Sequence, residues 1–376
     1  MELEYLVSGS NLFGQWFAKE PIIEIFKNIT KSCDCDSSTD FNVKYAKLVC
    51  MCWSYNIFKW KDDFFVTGAW AGEENVKTKI DIIREYDLST SELTIVGNDY
   101  NLVLLDIKKL KIWILCLKER LQVTSLDLKC ECPITLQITQ QSDIKIVKAV
   151  ATNTSFLYLT NMGSVLFGMK PSYLDTSHCV GKVCDIACGY NHYMLLTDAG
   201  YLYSWGCGQR LQLGHGDIEY LETPKEVHAL AGLKIIKIAA GGFHCLALSE
   251  YGDLYAWGWN DMGQLGITTK DEAVQNCNNP ISCSLPKLLD IYDENGILVE
   301  FNVVDIAAGS RHSVIMLEDT SVWASEYNKY GQLGLSPEKY PTVKCFKKIL
   351  NCDLHFKLMC GTWSTVLIRN SFSSDT

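Results

Sequence analysis

Three stretches of this chain align with one another without a gap: IACGYNHYMLLTDAGYLYSWGCGQRLQLG (186–214), IAAGGFHCLALSEYGDLYAWGWNDMGQLG (238–266) and IAAGSRHSVIMLEDTSVWASEYNKYGQLG (306–334). The first two share 13 of 29 positions. A repeat of this kind decides the architecture before any single residue does. Each copy reads as a short apolar strand ending at a glycine (Gly189, Gly241, Gly309), with a histidine three residues later (His192, His244, His312). A second apolar strand, a polar turn and a third strand follow. The unit ends in a loop such as Gly263-Gln-Leu-Gly266 or Gly331-Gln-Leu-Gly334, whose glycines can take positive φ without steric cost.

Weaker copies flank these three. Ala149 to Gly168 keeps the turn but has Ser155 at the histidine position; Ile95 to Trp113 keeps Gly97 and two strands; Val49 to Gly68 keeps only the strand rhythm. Lys357 to Ile368 supplies the glycine, Gly361, and the strand after it, and Tyr5 to Trp16 resembles the half that this last unit lacks. Landmarks at Met51, Gly97, Thr152, Gly189, Gly241, Gly309 and Gly361 then mark seven units, 37 to 68 residues apart. A lone blade of short strands cannot bury both faces, and stacking blades radially solves this. The expectation is an all-β, seven-bladed β-propeller closed by strand exchange between the N- and C-termini. One domain is expected over 1–368, with a tail at 369–376. At 48% hydrophobic and 21% charged residues the composition is that of a folded globular chain.

The strings Ile-Ala-Ala-Gly-x-x-His, Gly-Asp-Leu-Tyr-Ala-Trp-Gly-Trp-Asn and Gly-Gln-Leu-Gly resemble the regulator-of-chromosome-condensation repeat. The likeness is strong over 186–368 and degenerate before it. The opening Cys52-Trp53-Ser54-Tyr55, the paired Trp257 and Trp259, and the ending Cys360-Gly361-x-Trp363-Ser364-Thr365 resemble the branch in which the propeller is the whole chain. That resemblance implies a non-enzymatic adaptor without a cofactor. It implies a Jumonji-C 2-oxoglutarate oxygenase as partner, histone H3 contacted through that partner, and roles in chromatin repression and chromosome segregation. It also implies a nuclear, chromosome-associated protein with a cytoplasmic pool. The alternative is guanine-nucleotide exchange on a Ran-like GTPase, the activity of the family's founder. Founder-type factors use acidic and histidine loop residues and a basic N-terminal tail, whereas this chain opens Met-Glu-Leu-Glu.

Charge and motifs set the remaining expectations. Thirty-four Lys and Arg face 44 Asp and Glu, a net charge of −10, and the longest basic runs are Lys108-Lys109-Leu110-Lys111 and Lys347-Lys348. This disfavours direct nucleic-acid binding. No apolar run approaches the roughly 20 residues that span a bilayer, and no secretory signal is visible, so the 17 cysteines read as reduced and mostly buried thiols. The C-x-C pairs Cys33/Cys35, Cys50/Cys52 and Cys130/Cys132 lack the wider spacing usual in zinc sites. His215-Gly216-Asp217 opens like an iron facial triad but sits in a repeat loop. No metal and no catalytic residue are expected. The recurring histidines read as structural, satisfying backbone groups between strands, with a ring of partner contacts as the alternative. Trp205, Trp257 and Trp363 read as core. Partner contacts are expected on one face, at Asp217, Trp259, Asp261, Asn328 and Tyr330, just past the last strands of their repeats, where side chains can point outward. The interruptions at Thr268 to Pro286 and Asn28 to Asn42 are further places for individuality.

Overall fold

The computed structural model describes residues 2–32, 41–85, 93–117, 122–127, 144–267 and 281–371. Among these residues the chain forms seven four-stranded antiparallel sheets and almost no helix. The sheets are the blades of a propeller: blade 1 (47–79), blade 2 (93–127), blade 3 (146–174), blade 4 (183–226), blade 5 (235–288), blade 6 (303–351) and blade 7 (357–371 with 2–28).

Apolar strands make the blades, and their alternation makes the cores. In blade 5 the second strand, His244–Ser249, is buried along its whole length, whereas the outer strand, Ser282–Leu288, is half-buried to exposed. Core clusters fill the gaps between neighbouring sheets. Leu246, Leu254 and Leu265 of blade 5 pack with Ile306, Ile315 and Trp323 of blade 6. Each sheet therefore buries both faces only by having two neighbours.

The ring closes in blade 7, whose strand order joins both ends of the chain. Lys357–Cys360 and Ser364–Ser371 form its inner half, and Glu2–Ser10 and Ile22–Asn28 its outer half. Glu2–Ser10 pairs with Ser364–Ser371 from Glu2↔Ser371 to Gly9↔Ser364. The chain thus donates two strands from its start rather than the single final strand expected, and the outermost, Ile22–Asn28, was not foreseen. The last strand runs to Ser371, past the expected tail boundary, and Arg369 there pairs with Glu4 at 2.5 Å.

Pairing moves two landmarks by one residue. In the clear repeats the glycine amide donates to the carbonyl of the histidine three residues on, as with Gly241 and His244 at 2.8 Å. The same bond joins Cys52 to Tyr55 and Asn98 to Asn101, so Cys52 and Asn98, not Met51 and Gly97, are the equivalents in blades 1 and 2. Thr152 and Ser155 hold their expected places in blade 3. Of the interruptions, 268–280 and 33–40 lie outside the described residues. Ser282 to Pro286, expected as loop, belongs to the outer strand of blade 5, where an edge position tolerates proline.

Candidate functional site

The three repeat histidines are fully buried and build one joint between blades. Nε2 of His244 lies 3.0 Å from Oγ of Ser313 in blade 6, and that hydroxyl donates to the carbonyl of Gln264 in blade 5 at 2.6 Å. His312 meets Thr365 Oγ1 at 3.0 Å, and Thr365 donates to Gln332 O at 2.6 Å. His192 meets Cys245 Sγ at 3.1 Å, and Cys245 donates to Gln212 O. Because the hydroxyl or thiol hydrogen is spent on the glutamine carbonyl, the imidazole donates from Nε2, leaving Nδ1 a bare acceptor without a partner. Burial holds the rings of His192, His244 and His312 far below the usual imidazole range, at about 3, about 4 and about 3. These are neutral structural groups. They join side chain to side chain across blades, and the rings of His244 and His312 also engage backbone of the next blade at His312 and Ser364, in line with the expected backbone role.

This joint explains two repeat signatures at once. A Cβ on Gly241 would fall on its own His244 ring and on the carbonyl of Gly309 in the next blade, so glycine is required by close approach and not by its φ. The glutamine side chain pins its own loop by accepting an amide two residues back, as Gln264 Oε1 does from Met262 N at 3.1 Å. At the seam, Gln15 O accepts from Asn56 Nδ2 at 3.1 Å and from Thr67 Oγ1 at 2.9 Å, so the closing blade is fastened to blade 1 through the same loop.

Loops held this way form one end of the ring. Arg210 lies 4.1 Å over the Trp259 ring and 5.6 Å over Phe243, which meets Tyr190 edge-on at 5.2 Å. The Tyr190 hydroxyl reaches Ser310 two blades away, across the mouth of the central channel. Arg311 pairs with Asp261 at 3.3 Å; Tyr330 packs on Trp363 at 5.4 Å and Phe13 on Trp53 at 5.8 Å. The channel mouth encloses about 170 Å³. Asp99 lines it; burial raises its carboxyl although it accepts a hydrogen bond from Trp53 N.

Of the expected contact residues, Trp259, Asp261 and Tyr330 lie together on this end, Asp261 exposed and the two aromatics half-buried. Asp217 is half-buried and accepts from Glu219 N at 3.2 Å. Asn328 does not point outward. It is fully buried, and its amide donates to Leu335 O and Tyr340 O while its oxygen accepts from Leu333 N. Trp205 and Trp257 are core residues, but Trp363 is a half-buried loop residue on this same end, a correction to its expected strand position. His215 is engaged by Ser204 Oγ at 3.0 Å. Cys50 and Cys52 lie 3.5 Å apart at sulfur; Cys33, Cys35, Cys130 and Cys132 lie outside the described residues. Among the described residues no three His, Cys, Asp or Glu side chains are grouped to hold a metal ion.

One residue on this end escaped notice in the sequence. Glu326 stands where blades 4, 5 and 7 have Gly206, Gly258 and Gly9, all at φ near 100° or above, and its own φ is 107°. Its side chain is fully buried and neither oxygen has a hydrogen-bond partner. Burial raises the carboxyl well above the usual range, against smaller opposing pulls from the Tyr327 amide and Arg311. Positive φ at a non-glycine and an unpartnered buried acid each destabilise by about 1–3 kcal/mol. Glu326→Gly is therefore expected to raise the melting temperature. A group with a raised folded pKa destabilises increasingly as pH climbs above its unfolded value of 4.5. Melts at pH 8 should therefore show a larger gain than melts at pH 5; a variant less stable at both would contradict this account.

Comparison with known proteins supports the repeat reading. Residues 199–248 and 251–316 match the regulator of chromosome condensation (RCC1) repeat, and 183–212 with 235–264 match a second description of it. These RCC1-repeat matches fall within 183–316, over blades 4 and 5 and the start of blade 6. The chain is 30% identical over 213 residues to mouse RCC1 domain-containing protein 1, covering 49% of this chain and 55% of that one. The human protein of that name is 31% identical over 210 residues, covering 47% and 54%. The chain thus spans about half the length of these curated RCC1 relatives. Among solved structures, human WBSCR16 superposes with a TM-score of 0.71 at 14% identity, over 99% of this chain and 100% of that one. Yeast Prp20p gives 0.70 at 18%, over 100% and 93%. At such identities these structures speak for the fold alone. Among the described residues no helix is long and apolar enough to cross a membrane.

Proposed function

We propose that this chain is a non-enzymatic adaptor that presents the loop end of its ring to a partner protein, and that the partner is a Jumonji-C oxygenase acting on chromatin in the nucleus. The observation that carries the adaptor reading is the cross-blade set of Arg210, Trp259, Asp261, Arg311, Tyr330 and Trp363 on one end. Aromatic and guanidinium groups held on a rigid frame, with little side-chain freedom left to lose, are what binding hot spots are made of. The identity of the partner rests on the family resemblance and on the relation to RCC1 domain-containing protein 1. With a net charge of −10, the adaptor favours a basic partner surface, and association should slow as salt rises.

Trp259→Ala and Tyr330→Ala are the test pair. Each removes a ring that stands on the fold rather than inside it, so both variants should melt near the parent temperature. Each should weaken partner capture by about 2 kcal/mol, some thirtyfold. Folded variants that co-purify the oxygenase at parental levels would show the loop end to be the wrong surface. The exchange-factor alternative is separated by a nucleotide-release assay with a purified Ran-like GTPase, in which no acceleration is expected. Yeast Prp20p, whose structure was described with its binding to Gsp1p and histones, is the natural positive control.

A further inference from the structure

The first strand of every blade lines the central channel and places one residue at a shared level, opposite the residue four beyond the histidine position. Around the ring these are Lys47, Thr94, Lys148, Asp185, Lys237, Asp305 and Lys357. Both acids are matched. Lys148 pairs with Asp185 at 2.6 Å and Lys237 pairs with Asp305, whose second oxygen accepts from Leu358 N. The belt holds four lysines against two aspartates, and the surplus pair, Lys357 and Lys47, are neighbours across the seam between blade 7 and blade 1. Among the described residues neither has an ion-pair partner.

Two ammonium groups without an ion-pair partner that border one crevice favour an anion between them. Both lysines line one crevice of about 610 Å³ at the seam, at the end of the ring opposite the loops. Its lining holds no Asp or Glu; Leu48, Met359 and Ile368 give it an apolar side, and Arg369 at its edge is already held by Glu4. The volume falls within the usual small-ligand range of about 300–1,000 Å³. A lysine ammonium serves as a point charge for an oxyanion, and two of them flanking an apolar wall fit a head with a tail.

We propose that the seam crevice binds an aliphatic monocarboxylate, its carboxylate between Lys47 and Lys357 and its chain along Leu48, Met359 and Ile368. The probe is decanoate, titrated calorimetrically into the full chain, with acetate as head alone and decanol as tail alone. One saturable site is expected, with acetate and decanol each at least tenfold weaker, and with affinity falling as salt rises. Lys47→Met/Lys357→Met should weaken decanoate at least tenfold. If that double variant does not fold, Lys47→Gln and Lys357→Gln serve singly, each expected to weaken it several-fold. The absence of saturable binding, decanol binding as tightly as decanoate, or lysine variants that bind decanoate like the parent would each overturn the assignment. The loop end is untouched by these changes, so partner capture should stay at the parental level, which keeps this result separate from the adaptor test.

Discussion

Removing residues 1–17 is expected to leave a chain that does not fold cooperatively. The deletion strips the third strand from blade 7 and with it the pairing from Glu2↔Ser371 to Gly9↔Ser364. It also removes Tyr5, Val7 and Trp16, all fully buried against Phe58, Phe65 and Val366 at the junction with blade 1. Losing burial of three such side chains costs about 5–9 kcal/mol, comparable with the whole stability of an ordinary domain. The Gln15 carbonyl that receives Asn56 and Thr67 goes too, so the seam loses its fastening as well as its filling. Soluble yield and the far-ultraviolet melting curve measure this. A truncated protein that melts within a few degrees of the parent would mean that the ring does not depend on closure by the N-terminus.

A steep acid transition below pH 6.5 is the second large expectation. His192, His244 and His312 have folded values of about 3, 4 and 3 against 6.5 for the free side chain, because burial excludes the charged ring. Between those limits the unfolded chain binds more protons than the folded one, so stability is full above pH 6.5 and falls as pH drops. Each histidine contributes a slope of about 1.4 kcal/mol per pH unit, and the three together about 4. An imidazolium would also place a new Nδ1 donor where no acceptor waits. Glu326 works in the opposite direction, since its raised carboxyl favours the folded state as pH falls, but one such group does not offset three. His244→Gln should flatten the slope of unfolding free energy against pH by roughly a third, at the price of lower stability at pH 7. A slope unchanged in that variant would mean that the ring nitrogens are not what acid attacks.

The sequence made the blades legible because their marks are backbone requirements. Gly189, Gly241 and Gly309 recur where no side chain fits, and the loop glycines recur where φ must be positive, as at Gly263 and Gly331. Blades 1 and 2 were read one residue out of register because Cys52 and Asn98 replace the glycine, leaving only apolar rhythm to count by. Ile22–Asn28 was missed because its central residues alternate weakly and it faces solvent along one side. Asn328 misled for an instructive reason. A polar residue just past a strand reads as surface, yet this one turns inward to hold three backbone groups of its own loop. Glu326 was in plain view as an acid in a glycine column, and Lys47 and Lys357 emerge as neighbours only once the last blade is laid beside the first.

The latch between blades always runs one way, from the histidine of one blade to the small hydrogen-bonding side chain of the next. His192 is tied to Cys245, His244 to Ser313 and His312 to Thr365, at separations of 53, 69 and 53 positions. Such partners are free to change only together, because either one alone strands a buried donor or acceptor. Blade 4 therefore dictates to blade 5, blade 5 to blade 6 and blade 6 to blade 7, whereas blades 1 to 3 carry Tyr55, Asn101 and Ser155 at the histidine position and are tied to backbone instead, the Tyr55 hydroxyl donating to Asn98 O and the Asn98 amide to Thr152 O. One arc of the ring is thus locked side chain against side chain under mutual veto, while the other is tied through main-chain carbonyls that make no demand on the next blade's side chain.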